Sequence, residues 1–124
     1  MKYLLVIFFA FTINSYTQNT RIFLGEKYAK EELDEALAKK GEYNVIGQDG
    51  LIIKNGNSAV KIAESILFDI FGKSNIEEQK PYEKYLINNY WVVLGTLPKR
   101  SKGGTFLIII DAKNAEVLKI SHGK

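Results

Sequence analysis

The stretch Tyr85-Leu86-Ile87-Asn88-Asn89-Tyr90-Trp91-Val92-Val93-Leu94 decides the fold. Two apolar runs rich in β-branched and aromatic residues flank a pair of asparagines, and asparagine tolerates the positive backbone angles of a two-residue hairpin turn. A turn at Asn88-Asn89 sets the register: Ile87 pairs with Tyr90, Leu86 with Trp91 and Tyr85 with Val92. One face then carries Tyr85, Ile87, Tyr90, Val92 and Leu94, and the other Leu86, Trp91 and Val93. Downstream, Thr105 to Asp111 and Glu116 to Ser121 predict a second hairpin across Ala112-Lys113-Asn114-Ala115. Its first arm, Phe106-Leu107-Ile108-Ile109-Ile110, is apolar on both faces, whereas an antiparallel sheet with one wet face alternates. Something therefore covers both sides: helices on one, and on the other a partner, a second copy of the chain or a further segment.

Upstream the period lengthens. Ala59, Ile62, Ala63, Ile66, Leu67 and Ile70 form a broad apolar stripe, with Asn57 or Ser58 placed to cap the helix and Gly72 to end it. Gly72-Lys73-Ser74 imitates the end of a phosphate-binding loop, but Leu67 stands where that motif needs a glycine and the tripeptide follows a helix, so it reads as a helix stop. Between them, Tyr43 to Ile53 predicts a small hairpin around Asp49-Gly50. Lys27 to Lys40 predicts a short amphipathic helix with Gly41 as its stop. The order is helix, small hairpin, helix, then a β meander of four main strands.

The N-terminus has another character. After Met1-Lys2, residues Tyr3 to Ile13 (YLLVIFFAFTI) run apolar without a charge, too short to span a membrane comfortably and suited to the central region of a secretory signal peptide. Ser15 and Thr17 are small residues two apart, so residues 1–17 are expected to be a signal peptide cleaved after Thr17, with 18–124 as one domain. The protein is then periplasmic or secreted and free of the membrane after cleavage.

Composition narrows the chemistry. The 124 residues contain no cysteine and one histidine, which removes disulfide scaffolds, thiolate zinc sites, cysteine nucleophiles and any site needing two imidazoles. The formal charge of +3 is scattered, and a nucleic-acid binder wants its cations on one surface. The acids Glu64, Asp69 and Asp111 have no visible catalytic companion. No catalytic residue, metal or cofactor is expected.

Ala59-Val60-Lys61-Ile62-Ala63-Glu64, Phe71-Gly72-Lys73, Pro81-Tyr82 and the run Trp91-Val92-Val93-Leu94-Gly95-Thr96-Leu97-Pro98, followed by Gly103-Gly104-Thr105-Phe106 and the closing Ser121-His122-Gly123-Lys124, resemble a bacterial polymorphic-toxin immunity family with a nuclear transport factor 2 fold. The resemblance covers the chain from about residue 57 onward. It implies an α+β, cystatin-like architecture, a curved antiparallel sheet packed on helices, and a non-enzymatic role: binding and occluding a cognate toxin protein. The last hairpin, Ile110 to Val117, also resembles that of PepSY domains, exported modules associated with peptidase inhibition, and a small-pocket ligand binder or enzyme of the same fold is a further alternative. The hairpin departs from the usual Asp-Ala-x-x-Gly pattern, with Ala115 in the glycine place, so Asn114 or Ala115 has to adopt the left-handed conformation.

Within this frame Lys99, Arg100 and Lys102, on the loop Pro98 to Gly104 between two apolar strands, are the expected partner-binding residues, joined by Tyr82 and His122. A solvated terminal histidine is the plainer reading of His122. Trp91, Val93, Ile66, Leu67 and Ile108 are expected in the core, and a buried Trp91 needs an acceptor for its indole N–H.

Overall fold

The computed structural model describes residues 2–3, 20–39 and 50–123. The chain forms two compact units, Met1–Tyr43 and Asn44–Lys124. In the first, α1 spans Gly25–Ala38, close to the predicted range. Its surface carries i,i+4 pairs, Lys27 with Glu31 and Lys30 with Asp34, contacts that support an exposed helix weakly. Apart from residues 2–3, the predicted signal peptide lies outside the described residues, as do the expected helix stop Gly41 and the first arm of the small hairpin.

The second unit holds α2 (Gly56–Phe71), the short α3 (Lys73–Glu77) and four strands: β1 (Glu83–Ile87), β2 (Tyr90–Leu94), β3 (Phe106–Asp111) and β4 (Val117–His122). The sheet is a meander in the order β1-β2-β3-β4. Register in the first hairpin is the expected one, Ile87 opposite Tyr90, Leu86 opposite Trp91 and Tyr85 opposite Val92, because Asn88 and Asn89 both take positive φ, 49° and 65°, the geometry whose twist matches that of the flanking strands. In the second hairpin Ala115 is the residue in the left-handed region, at φ 62°, and the β3–β4 ladder is irregular beside Ile109 and Ile110.

Alternation sends one face of the sheet inward. Trp91 and Val93 of β2 with Phe106, Ile108 and Ile110 of β3 meet Ala59, Ala63 and Leu67 of α2 and Ile76 of α3 in a single core. The helix stripe is narrower than the sequence suggested. Ile62 and Ile66 are half-buried against that core, whereas Ile70 is 53% exposed: the buried line advances in steps of four, Ala59, Ala63, Leu67, and passes beside position 70. The cap also differs, for Asn55 rather than Asn57 or Ser58 begins α2, its side chain accepting from the Ser58 N–H at 2.9 Å. Gly72 closes α2 as expected, its N–H donating to the Phe68 carbonyl, and α3 follows directly.

Leu51-Ile52-Ile53, the expected second arm of the small hairpin, is not a ladder strand. The Ile52 and Ile53 N–H groups both donate to the Ala112 carbonyl, and the Ile53 carbonyl accepts the Trp91 indole N–H at 2.8 Å. A buried indole must place its donor, and this bond ties the segment before α2 to the centre of the sheet.

Candidate functional site

The β1–β2 and β2–β3 registers bring Glu83, Leu94 and Leu107 into line, and Phe106 lies opposite His122. One end of the sheet therefore gathers the start of β1, the loop from Gly95 to Thr105 and the end of β4. All five expected partner-binding residues, Tyr82, Lys99, Arg100, Lys102 and His122, lie on this end.

They differ in surroundings. Lys99, Arg100 and Lys102 are fully on the surface, and Arg100 takes φ 68° in a turn whose Ser101 N–H donates to the Pro98 carbonyl at 3.1 Å. Among the described residues none of the three cations makes an ion pair or side-chain hydrogen bond. The loop thus presents three charges with no internal use for them. Tyr82 is half-buried: its ring meets Phe106 edge-on at 5.2 Å, and its hydroxyl donates to Glu64 at 3.0 Å. Burial, and then the bond to the Glu64 carboxylate, push the Tyr82 phenol above its usual range, since both favour the neutral form. Lys80 stands 3.7 Å from the same carboxylate. Val60, Glu64, Lys80, Pro81, Tyr82 and Lys84 line an open cleft of about 580 Å³.

His122 is not the solvated end its position suggested. Its ring packs against Phe71 at 5.1 Å, and its Nε2 lies 3.0 Å from the Gln79 amide nitrogen while its Nδ1 lies 2.8 Å from the Gly123 carbonyl. An amide nitrogen only donates. Nε2 must therefore accept and Nδ1 carry the proton, a tautomer assigned from the network.

Gln79 organises this end of the molecule, and sequence reading missed it. It is 2% exposed, the only buried polar residue among the described ones. Its Oε1 accepts from the Phe106 N–H at 2.8 Å, its amide nitrogen donates to the Asn75 carbonyl at 3.2 Å, and its own carbonyl accepts from the Thr96 N–H at 2.8 Å. Thr96 adds a hydroxyl bond to the Pro81 carbonyl at 2.7 Å. Gly95 is required here because a Cβ would land inside the Gln79 side chain, and Gly104 because a Cβ would strike the Gly123 backbone. Gly95 and Thr96 thus seat the end of β2 on Gln79, and Gly104 lets the start of β3 pass close to Gly123, whose N–H donates to the Thr105 carbonyl at 3.1 Å.

Among the described residues the three acids Glu64, Asp69 and Asp111 have separate surroundings. Glu64 is engaged by Tyr82 and Lys80, and Asp111 accepts from the Lys113 N–H within its turn at 2.8 Å. Asp69 lies exposed on α2. Among the described residues no group of three or more His, Asp or Glu could hold a metal ion, and no helix is long and apolar enough to cross a membrane.

Comparison with known proteins gives these features a setting. The chain is 33% identical over 122 residues to the uncharacterised protein YhhH of Escherichia coli (strain K12), covering 97% of this chain and 86% of that protein. It is 37% identical over 73 residues to the uncharacterised protein YbbC of the same organism, covering 58% of this chain and 60% of that one. No solved structure matches. Residues 58–124 match the NTF2 fold immunity protein family, a span that holds the whole sheet, nearly all of α2 and the Gln79 network. With helices packed on a four-stranded antiparallel meander, the chain belongs to the family of NTF2-fold immunity proteins.

Proposed function

We propose that this protein is an exported immunity protein of a polymorphic toxin system, which neutralises a cognate toxin by binding and occluding it, without chemistry of its own. The observation that carries the reading is the loop Pro98 to Gly104 of an immunity-family domain: three cations held on a rigid sheet end, with no partner among the described residues. A recognition loop on a fixed scaffold loses little entropy on binding, and cations at a contact rim speed encounter with an acidic surface. Lys99, Arg100 and Lys102 form that rim, with Tyr82 and His122 beneath it as less exposed members. An exported immunity protein meets its toxin in the periplasm, so the toxin is one that attacks the envelope, and the mild positive charge disfavours a basic nuclease as partner.

The test is to search the neighbouring genes for a toxin and co-express it with this protein. The unaltered protein is expected to protect the cells and to bind the toxin directly. Replacing Arg100 and Lys102 together with glutamate is expected to abolish protection while the fold is unchanged, acting first on the association rate and its salt dependence. A folded double variant that protects fully and associates at the original rate would exclude this surface. Failure of the unaltered protein to bind or protect would exclude the reading as a whole.

A further inference from the structure

The sheet ends at β1 on one side, and every residue of that edge strand is exposed. The two-residue turn makes Ile87 and Tyr90 exchange both backbone bonds, and every second pair from there, Tyr85 with Val92 and Glu83 with Leu94, does the same. The next ladder keeps this phase: the Gly95 N–H donates to the Phe106 carbonyl at 3.0 Å, so Trp91, Val93 and Gly95 turn their backbone to β3, and Tyr90, Val92 and Leu94 turn theirs to β1. Lys84 and Leu86 therefore aim their N–H and C=O groups away from the sheet. Among the described residues neither backbone has a partner there.

A groove follows this edge on its core side. Lys84 and Leu86 stand opposite Val93 and Trp91, both buried, so their side chains share the face that α2 covers. Tyr82, two positions earlier, reaches α2 through its bond to Glu64. The Lys84 stem lies over Gly56, where a Cβ would meet it, and its ammonium is 3.2 Å from the Asn57 side-chain oxygen. The open cleft lined by Val60, Glu64, Tyr82 and Lys84 lies between these two contacts. A strand laid on β1 at the usual spacing of about 4.8 Å sends alternate side chains into that cleft and onto the outer face, where Tyr85 and Ile87 are exposed. Charge narrows what fits. Glu64 is already shared by Tyr82 and Lys80, whereas Lys84, among the described residues, has only the neutral Asn57 for a partner. The groove keeps one uncompensated ammonium, which an acidic side chain answers.

We propose that the free edge of β1 is the docking site for an extended segment of another protein, which joins the sheet through the backbone groups of Lys84 and Leu86 and places an acidic side chain in the groove beside Lys84. Strand addition draws affinity from main-chain hydrogen bonds and specificity from pockets for alternate side chains, and this edge supplies both. The lysine also guards the edge against indiscriminate pairing, because a strand without a matching acid leaves its charge unanswered. The inference does not rest on the toxin reading.

Selection of phage-displayed random linear peptides on protein purified from cells expressing the full chain is expected to enrich sequences that alternate apolar residues and carry an Asp or Glu. A synthetic peptide from that set should slow hydrogen exchange at the Lys84 and Leu86 amides and leave those of Tyr85 and Ile87, already bonded to β2, little changed. N-methylation along the peptide should weaken binding by at least about fivefold at every second residue, where the N–H faces β1, and by less than about twofold at the residues between. Leu86→Pro removes an outward N–H that the sheet does not use and should weaken binding about tenfold with an unchanged circular dichroism spectrum; should that variant fail to fold, the methylation series decides alone. Lys84→Glu should weaken binding, and exchange of the peptide's acid for lysine should restore it. Enrichment of no alternating peptide overturns the proposal, as do protection confined to other amides, equal effects of methylation at both sets of positions, or full binding by folded Leu86→Pro. Protection of the Lys84 and Leu86 amides in the free protein that disappears on dilution would assign the edge to a second copy and overturn it as well.

Discussion

Gln79 shows how much one buried amide can hold. Every hydrogen-bonding atom of its side chain is used, towards Phe106 in β3, Asn75 in α3 and His122 in β4. Removing it leaves a buried strand N–H and an imidazole nitrogen unpaired, each costing about 1–3 kcal/mol. Gln79→Ala is therefore expected to destabilise the protein by about 2–4 kcal/mol in chemical denaturation, whereas replacing its neighbour Glu78, exposed on the surface, should change stability by less than about 0.5 kcal/mol. An equal effect at both positions would refute the network's role. In the sequence Gln79 stands in the polar run Glu77-Glu78-Gln79-Lys80 and looks solvated, because burial of a polar side chain leaves no periodic trace. Trp91 was easier to place: an indole inside an apolar strand reads as core, and chemistry demands an acceptor. Only the folded chain could supply the Ile53 carbonyl, 38 residues away.

At the scale of elements, α2 and the first hairpin were legible and α3 was not. Asn88-Asn89 sets a register by local backbone geometry alone, so the pairing of β1 with β2 follows from sequence. The stripe of α2 follows from its period, but the width of that stripe depends on where the sheet touches it. Leu67 is fully buried and Ile70 half in water. Leu67→Ala is expected to cost about 2–5 kcal/mol, and Ile70→Ala less than about 1 kcal/mol, measured as the shift in denaturation midpoint at constant slope. Comparable losses at the two positions would mean that the helix is rotated from the position described. The five residues of α3 carry too little periodicity to declare a helix, and Leu51-Ile52-Ile53 has strand composition without a ladder, its N–H groups being claimed by a single carbonyl at Ala112. Apolar runs this short do not fix their own pairing.

At the scale of the whole molecule, the reading as an exported toxin-binding protein makes its own demand on the N-terminus: protein recovered from the cell envelope should begin near Gln18 on N-terminal sequencing, and Met1 retained on soluble cytoplasmic protein would refute export. The same scale separates two surfaces that the sequence could not distinguish. Lys99, Arg100 and Lys102 announce themselves as a cluster because they are adjacent in the chain. Val60 and Lys84 are distant in the chain and line one cleft only when α2 lies beside β1. By itself the sequence determined the α+β order, the register of the first hairpin, a left-handed residue at Asn114 or Ala115 in the second and the family's fold, since these depend on local backbone preference, side-chain period and short motifs. Tertiary structure alone decided which of Asn114 and Ala115 is left-handed, that His122 is bonded rather than solvated, and that Gln79 ties α3 to two strands. Those outcomes depend on contacts between residues distant in the chain, whose geometry exists only once the helices have settled on one side of the sheet.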